Sequence, residues 1–142
     1  MDFSRVGLDR ATEMARQAGA AITAVVADLA TYQPDADAYD LVLALYVQVP
    51  AAVLATVLGR ASGALAPGGT FLLIGHDLAN LDRGVGGPQD PAILQTAEQV
   101  TGGLDEGLVI ERAEPVERVV STPDGPRAAI DVIVRARRPA TA

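Results

Sequence analysis

Cysteine, tryptophan and lysine are absent from the 142 residues, histidine occurs once, and aromatic side chains make up only 4%. Without cysteine there is no disulfide scaffold, no thiolate metal site and no cysteine nucleophile. A core so poor in rings must be built from Ala, Val, Leu and Ile. All eleven basic residues are arginine, and with the many Ala and Gly this reads as the coding bias of a GC-rich bacterial genome rather than as function. The formal charge of -7 disfavours non-specific nucleic-acid binding, because a phosphate backbone would be repelled over most of the surface. What is there is apolar: 49% hydrophobic against 20% charged suits a packed core and argues against disorder. The length fits one domain over residues 1–142.

Residues 41–59 carry no charge over nineteen positions, nominally enough to cross a bilayer. Pro50 interrupts them, and the pattern changes there from a continuous apolar run to helical spacing. A buried strand followed by an amphipathic helix is the better reading. The start, Met1-Asp2-Phe3-Ser4-Arg5, has neither a basic region nor an apolar stretch of the signal-peptide kind. A soluble, cytoplasmic protein without membrane partners is therefore expected.

The chain alternates helix and strand to about residue 100. Ser4 suits the N-cap of a helix over 5–18, with Val6, Ala11, Met14, Ala15 and Ala18 on one stripe and Gly19 as the stop. Residues 22–26 form a short β-branched run. Tyr39-Asp40-Leu41-Val42-Leu43-Ala44-Leu45 is apolar on both faces, as buried parallel strands are. Residues 51–65 have helical spacing, and Ala66-Pro67-Gly68-Gly69 turns the chain into a strand over 70–75. A Gly-, Asp- and Asn-rich loop spans 76–90. Asp90-Pro91 is a suitable helix opening. Beyond it, residues 108–120, the turn Pro123-Asp124-Gly125 and the alternation at 130–135 predict an antiparallel hairpin. Ile130, Val132 and Val134 point one way, and Asp131, Ile133 and Arg135 the other.

This order predicts an open α/β sheet with an antiparallel edge. Ligands of such sheets bind beyond the carboxyl ends of the parallel strands, which directs attention to residues 2–4, 28–29, 45–50 and 76–90.

Asp2-Phe3-Ser4 at a helix start, Ala27-Asp28-Leu29, Tyr39-Asp40-Leu41-Val42 and Leu65-Ala66-Pro67-Gly68-Gly69-Thr70, in this order and spacing, resemble a class I S-adenosylmethionine-dependent methyltransferase. Small bacterial enzymes akin to tellurite-resistance and thiol methyltransferases are the most similar subgroup. The resemblance implies a Rossmann-like three-layer sandwich with a C-terminal antiparallel hairpin. It also implies an N-terminal truncation, since the first strand and its Gly-rich turn have no counterpart before Asp2. Gly84-Val85-Gly86-Gly87 follows the wrong strand to replace that turn. A misplaced start site is one explanation of the difference; completion of the sheet by a partner or a second copy, as a homo-oligomer, is the other.

By the same resemblance the cofactor is S-adenosylmethionine and the partner a small-molecule methyl acceptor. Asp2 corresponds to the acid that accepts from the ribose hydroxyls, with Phe3 beside it. Asp28 corresponds to the acceptor for the adenine amino group, and Leu29 to its neighbouring contact. Leu45 and Tyr46 would lie by the methionine moiety. Each has a plainer reading: Asp2 as a helix-start acid, Asp28 as a turn residue, Tyr46 as half-buried core. His76 and Asn80 are the substrate-side candidates. His76 is a candidate general base, since imidazole titrates near neutrality, although a lone His at a strand end is commonly structural; Asn80 can equally be a loop capping group. A metal site is not expected. The resulting expectation is methyl transfer to a small molecule, with a non-catalytic interaction module of the same fold as the alternative.

Overall fold

The computed structural model describes residues 1–141. The chain forms two compact units, Met1–Gln33 and Pro34–Ala142.

In the first unit, helix α1 spans Arg5–Gln17. The Ser4 hydroxyl accepts from the Gly7 amide, as an N-cap does, and Gly19 takes a left-handed φ of 70° just past the end. Of the helix residues only Leu8 is buried, whereas Val6 and Met14 of the expected apolar stripe are exposed. Residues 22–26 do not form the expected strand. Val26 makes a single parallel bridge to Asp2, with Asp2 N donating to Val25 O and Ala27 N to Asp2 O. A β-branched run becomes a ladder only where a second length of main chain lies beside it, and here the bridge is one residue long.

The second unit is built on a four-stranded sheet in the order β1-β2-β4-β3, formed by β1 (Tyr39–Leu45), β2 (Leu65–His76), β3 (Val109–Thr122) and β4 (Gly125–Arg137). β1 and β2 are parallel. β4 runs antiparallel to both of its neighbours, so the hairpin expected at the C-terminus is present. Helix α2 (Ala51–Ala64) is the crossover between β1 and β2; the short α3 (Asn80–Arg83), a 3-10 turn (Pro91–Ile93) and α4 (Ala97–Gly103) follow β2. β2 begins directly at Leu65, opposite Tyr39, rather than after a separate turn at 66–69. The opening at Asp90 is real but short: Asp90 caps the 3-10 turn, and Thr96 caps α4.

One face of this sheet carries the core. Phe71 and Leu73 of β2, with Val132, Val134 and Ala136 of β4, pack with Leu54, Leu58 and Ala61 of α2 and Val100 of α4. Side chains alternate along a strand, so Leu41, Leu43 and Leu45 of β1 fall on the opposite face together with their register partners Thr70, Leu72 and Ile74. These three leucines are about half exposed, at 53%, 51% and 52%. The strand is therefore not buried on both faces as its composition predicts, and it lies at an edge of the sheet.

Gly69 illustrates how tightly β2 starts. A Cβ there would stand 2.8 Å from the carbonyl oxygens of both Ala66 and Tyr39, main-chain atoms that cannot swing aside. Gly69→Ala is expected to destabilise the chain by about 1–3 kcal/mol, the usual range for overpacking. A thermal midpoint unchanged from wild type would show that the strand start has slack. Among the described residues no helix is long and apolar enough to cross a membrane.

Candidate functional site

β1 and β2 both end on the side where a parallel sheet presents its ligands, and a polar cluster forms there. Tyr46 follows β1 directly and His76 closes β2. Tyr46 adopts φ 50°, the left-handed region that L side chains enter at a cost, while its amide donates to Ile74 O at 2.7 Å. That backbone turns its phenol toward β4, where the hydroxyl donates to Asp131 Oδ2 at 2.9 Å.

Asp131 is the centre of the cluster and is 1% exposed. Arg118 on β3 reaches the same oxygen with Nε at 2.6 Å, and its Nη2 lies 3.4 Å from Oδ1. His76 Nδ1 stands 3.3 Å from Oδ1 but is not aligned as a hydrogen bond, and among the described residues that buried nitrogen has no other partner. The Tyr46 and His76 rings are tilted against each other with centroids 5.0 Å apart, and the Arg118 guanidinium carbon lies 5.9 Å from the Tyr46 ring centroid. An almost fully buried carboxylate is tolerable because it is paired and multiply hydrogen-bonded.

Gln95 braces the cluster, and two glycines leave room for it. Gln95 is buried; its Nε2 donates to Val47 O at 2.7 Å and its main chain pairs with His76 O and the Leu78 amide. A Cβ on Gly75 would come within 2.6 Å of Gln95 Oε1, so the glycine makes room for this amide. On the other side, a Cβ on Gly87 would press on His76 Cε1 and Nδ1 at 3.2 Å.

Asn80 lies outside the cluster's hydrogen bonds. It is 2% exposed, with Nδ2 donating to Gly86 O at 2.8 Å and Oδ1 accepting from the Ile130 amide at 2.7 Å. Its amide is used by the fold at both ends. Leu45 sits among the exposed β1 leucines.

Asp2, Phe3, Asp28 and Leu29 belong to the first unit. The bridge between Asp2 and Val26 places the two acids at adjacent chain ends. Each is exposed and has Oδ1 occupied locally, Asp2 by the Ser4 amide and Asp28 by the Ala30 amide, both at 2.8 Å. Phe3 is 83% exposed. Two accessible carboxylates suit donors such as a ribose diol and an adenine amino group, so the acids present fit the nucleoside half of the expected cofactor.

Arg118, Asp131 and Gln95 escaped the sequence reading. Asp131 was detectable in principle, as a lone acid between Ile130 and Val132 in a core strand. Arg118 and Gln95 carried no comparable signal.

No protein-family profile matches the sequence, and no curated protein matches it. Among solved structures, a SAM-dependent methyltransferase from Methanosarcina mazei superposes with a TM-score of 0.67 at 13% identity, covering 99% of this chain and 81% of that one. The chain has the class I methyltransferase fold. The N-methyltransferase NodS from Bradyrhizobium japonicum WM9 shares this methyltransferase fold, with a TM-score of 0.66 and 17% identity over 97% of this chain and 71% of NodS. So does TehB from Haemophilus influenzae, with a TM-score of 0.69 and 12% identity over 96% of this chain and 48% of TehB. Against one further neighbour the chain spans 65% of the length. At these identities the shared property is the fold.

On this methyltransferase fold the Tyr46 phenol is held above its ordinary value, chiefly by burial and then by its hydrogen bond to Asp131 and that carboxylate's charge. The folded chain thus keeps the Tyr46 proton at a pH where the unfolded chain releases it. The stability this contributes is present below about pH 10, the ordinary tyrosine value, and is lost as pH rises through the higher folded value. With three tyrosines and no tryptophan, phenolate absorbance resolves the event. Tyr46→Phe is expected to remove a phenol that titrates above the ordinary tyrosine value; a difference titration showing that the lost phenol titrated at or below that value would overturn the assignment.

Proposed function

We propose that the chain acts in S-adenosylmethionine-dependent methyl transfer to a small-molecule acceptor. The observation that carries this reading is the pairing of the methyltransferase fold with a built polar cluster at the carboxyl ends of β1 and β2. When bound, S-adenosylmethionine supplies a methyl group activated by a sulfonium. The protein's share is then modest: within the second unit Tyr46, His76 and Arg118 line the place where an acceptor is oriented, and within the first unit, taken by itself, Asp2 and Asp28 offer carboxylate oxygens to a nucleoside. In-line displacement gains most from positioning and from exclusion of water.

Calorimetric titration with S-adenosylhomocysteine tests this directly. Micromolar binding is expected, and a folded chain that takes up none would overturn the reading. Asp28→Ala should weaken the affinity about 10- to 100-fold, as loss of a hydrogen bond to a charged group does. Unchanged affinity would remove Asp28 from the site.

A second reading, an interaction module whose sheet is completed by association, has its own support in the half-exposed Leu41, Leu43 and Leu45 on an edge strand. Light scattering separates the two. A monomer at all concentrations speaks against association, and a dimer abolished by Leu43→Arg speaks for it.

A further inference from the structure

We propose that Asp131 is a positioning residue that fixes His76 with its proton on Nδ1, leaving Nε2 to take a proton from the methyl acceptor, so that the acceptor is a neutral nucleophile X–H with a proton to give up. This rests on the methyl-transfer reading above and adds to it the class of acceptor and the origin of the base.

The assignment follows from where the lone pairs of one buried carboxylate go. Oδ2 of Asp131 receives two short donors, the Tyr46 hydroxyl at 2.9 Å and Arg118 Nε at 2.6 Å. Among the described residues Oδ1 has the long Arg118 Nη2 contact at 3.4 Å and His76 Nδ1 at 3.3 Å and no other donor, so it has acceptor capacity to spare. If the neutral imidazole carried its proton on Nε2, the Nδ1 lone pair would face Oδ1. Two acceptors would then meet in a buried place with no donor between them, which is unfavourable. A proton on Nδ1 satisfies both atoms after a small turn of the ring, and catalytic hydrogen bonds are often loose before a ligand tightens them.

The surroundings hold this arrangement. Nδ1 is buried while the His76 side chain as a whole is 14% exposed, so the exposed part of the ring excludes Nδ1. Among the described residues Nε2 makes no hydrogen bond. Gly87 flanks the Cε1–Nδ1 edge, and the Tyr46 ring lies on another side. Tyr46 does not compete as base, because its hydroxyl proton is committed to Asp131 and its phenol is pushed up. Arg118 is a cation that its ion pair with Asp131 keeps protonated.

The step balances. The bond from X to the methyl carbon forms as the carbon–sulfur bond breaks, and its electron pair stays on sulfur, turning the sulfonium into a neutral thioether. The X–H proton moves to His76 Nε2. The positive charge thus passes from sulfur to an imidazolium that faces the Asp131 carboxylate.

Because His76 is the only histidine, long-range ¹H–¹⁵N correlation of the labelled chain shows one imidazole. At a pH that leaves the ring neutral, the wild type is expected to show Nδ1 protonated and Nε2 with the shift of a free lone pair. Asp131→Asn, whose amide can donate to Nδ1, is expected to move the ring toward the Nε2-protonated form. Should that variant fail to fold, Arg118→Gln retains the carboxylate and is expected to keep the wild-type tautomer. An Nε2-protonated ring in the wild type overturns the assignment, even where S-adenosylhomocysteine binds. Absence of S-adenosylhomocysteine binding alongside an Nδ1-protonated ring overturns the cofactor reading instead. With 2-mercaptoethanol as acceptor, His76→Gln should slow methylation about 10²- to 10⁴-fold, the range of a general base; an unchanged rate would rule His76 out as the base.

Discussion

Replacing Phe71 with alanine is expected to cost about 3–5 kcal/mol, the range for emptying a buried aromatic site. Phe71 is fully buried on β2, in the cluster that joins α2 and α4 to the sheet. The pairing of Val42 and Ala136 with it on the flanking strands leaves no neighbouring main chain free to collapse into the void. With only two phenylalanines in the chain, and the other one exposed at position 3, this ring is the largest apolar side chain the core holds. Since domains of this size are stable by about 5–15 kcal/mol in all, the variant should unfold at far lower urea with the slope of the transition preserved. Phe71→Leu should cost much less. A loss below about 1 kcal/mol for the alanine variant would mean that the helices repack.

Asn80→Ala should be nearly as damaging although no apolar area is at stake. One buried amide satisfies the Ile130 N–H and the Gly86 carbonyl together. Removing it strands a donor on β4 and an acceptor in the loop, each worth about 1–3 kcal/mol when left unpaired. A combined loss of roughly 2–5 kcal/mol is expected. Asn80→Asp keeps the acceptor for Ile130 but sets a carboxylate oxygen against the Gly86 carbonyl, so it should rescue only in part. Hydrogen exchange provides the site-specific check: the Ile130 amide should exchange faster in Asn80→Ala than in Asn80→Asp. Equal rates would show that the amide of Ile130 is protected by something other than this side chain.

Local chemistry carried much of the fold into the sequence, and long-range pairing did not. Ser4 announced α1 because a cap acts within three residues, and Pro123-Asp124-Gly125 announced the hairpin because its turn is equally local. Tyr39 to Leu45 was legible as a strand, yet its exposure was not, since burial depends on what lies beside it rather than on its own composition. The run at 22–26 had the propensity of a strand and gained only a one-residue bridge. The site divides in the same way. Tyr46 and His76 stood out as polar residues at strand ends. Asp131, which links them, lies 85 positions from Tyr46, and the alternation that set it opposite Val132 gave no hint that three other side chains would enclose it. Asn80 was visible as a loop amide, while its structural use depends on Ile130, 50 positions away.

The backbone at Tyr46 places two opposing demands on one position. Its φ of 50° is entered freely by glycine and tolerated by asparagine or aspartate, so those are the residues that random substitution there would retain on conformational grounds. None of them can extend a phenol to Asp131. The residues that keep an aromatic ring, in turn, keep the backbone cost. Sequence drift at position 46 is thereby coupled to position 131: a glycine relieves the backbone but leaves the buried acid with Arg118 as its one donor on Oδ2, a loss that a change at 131 would cancel. Descendants of this chain should change the two positions together or leave both alone.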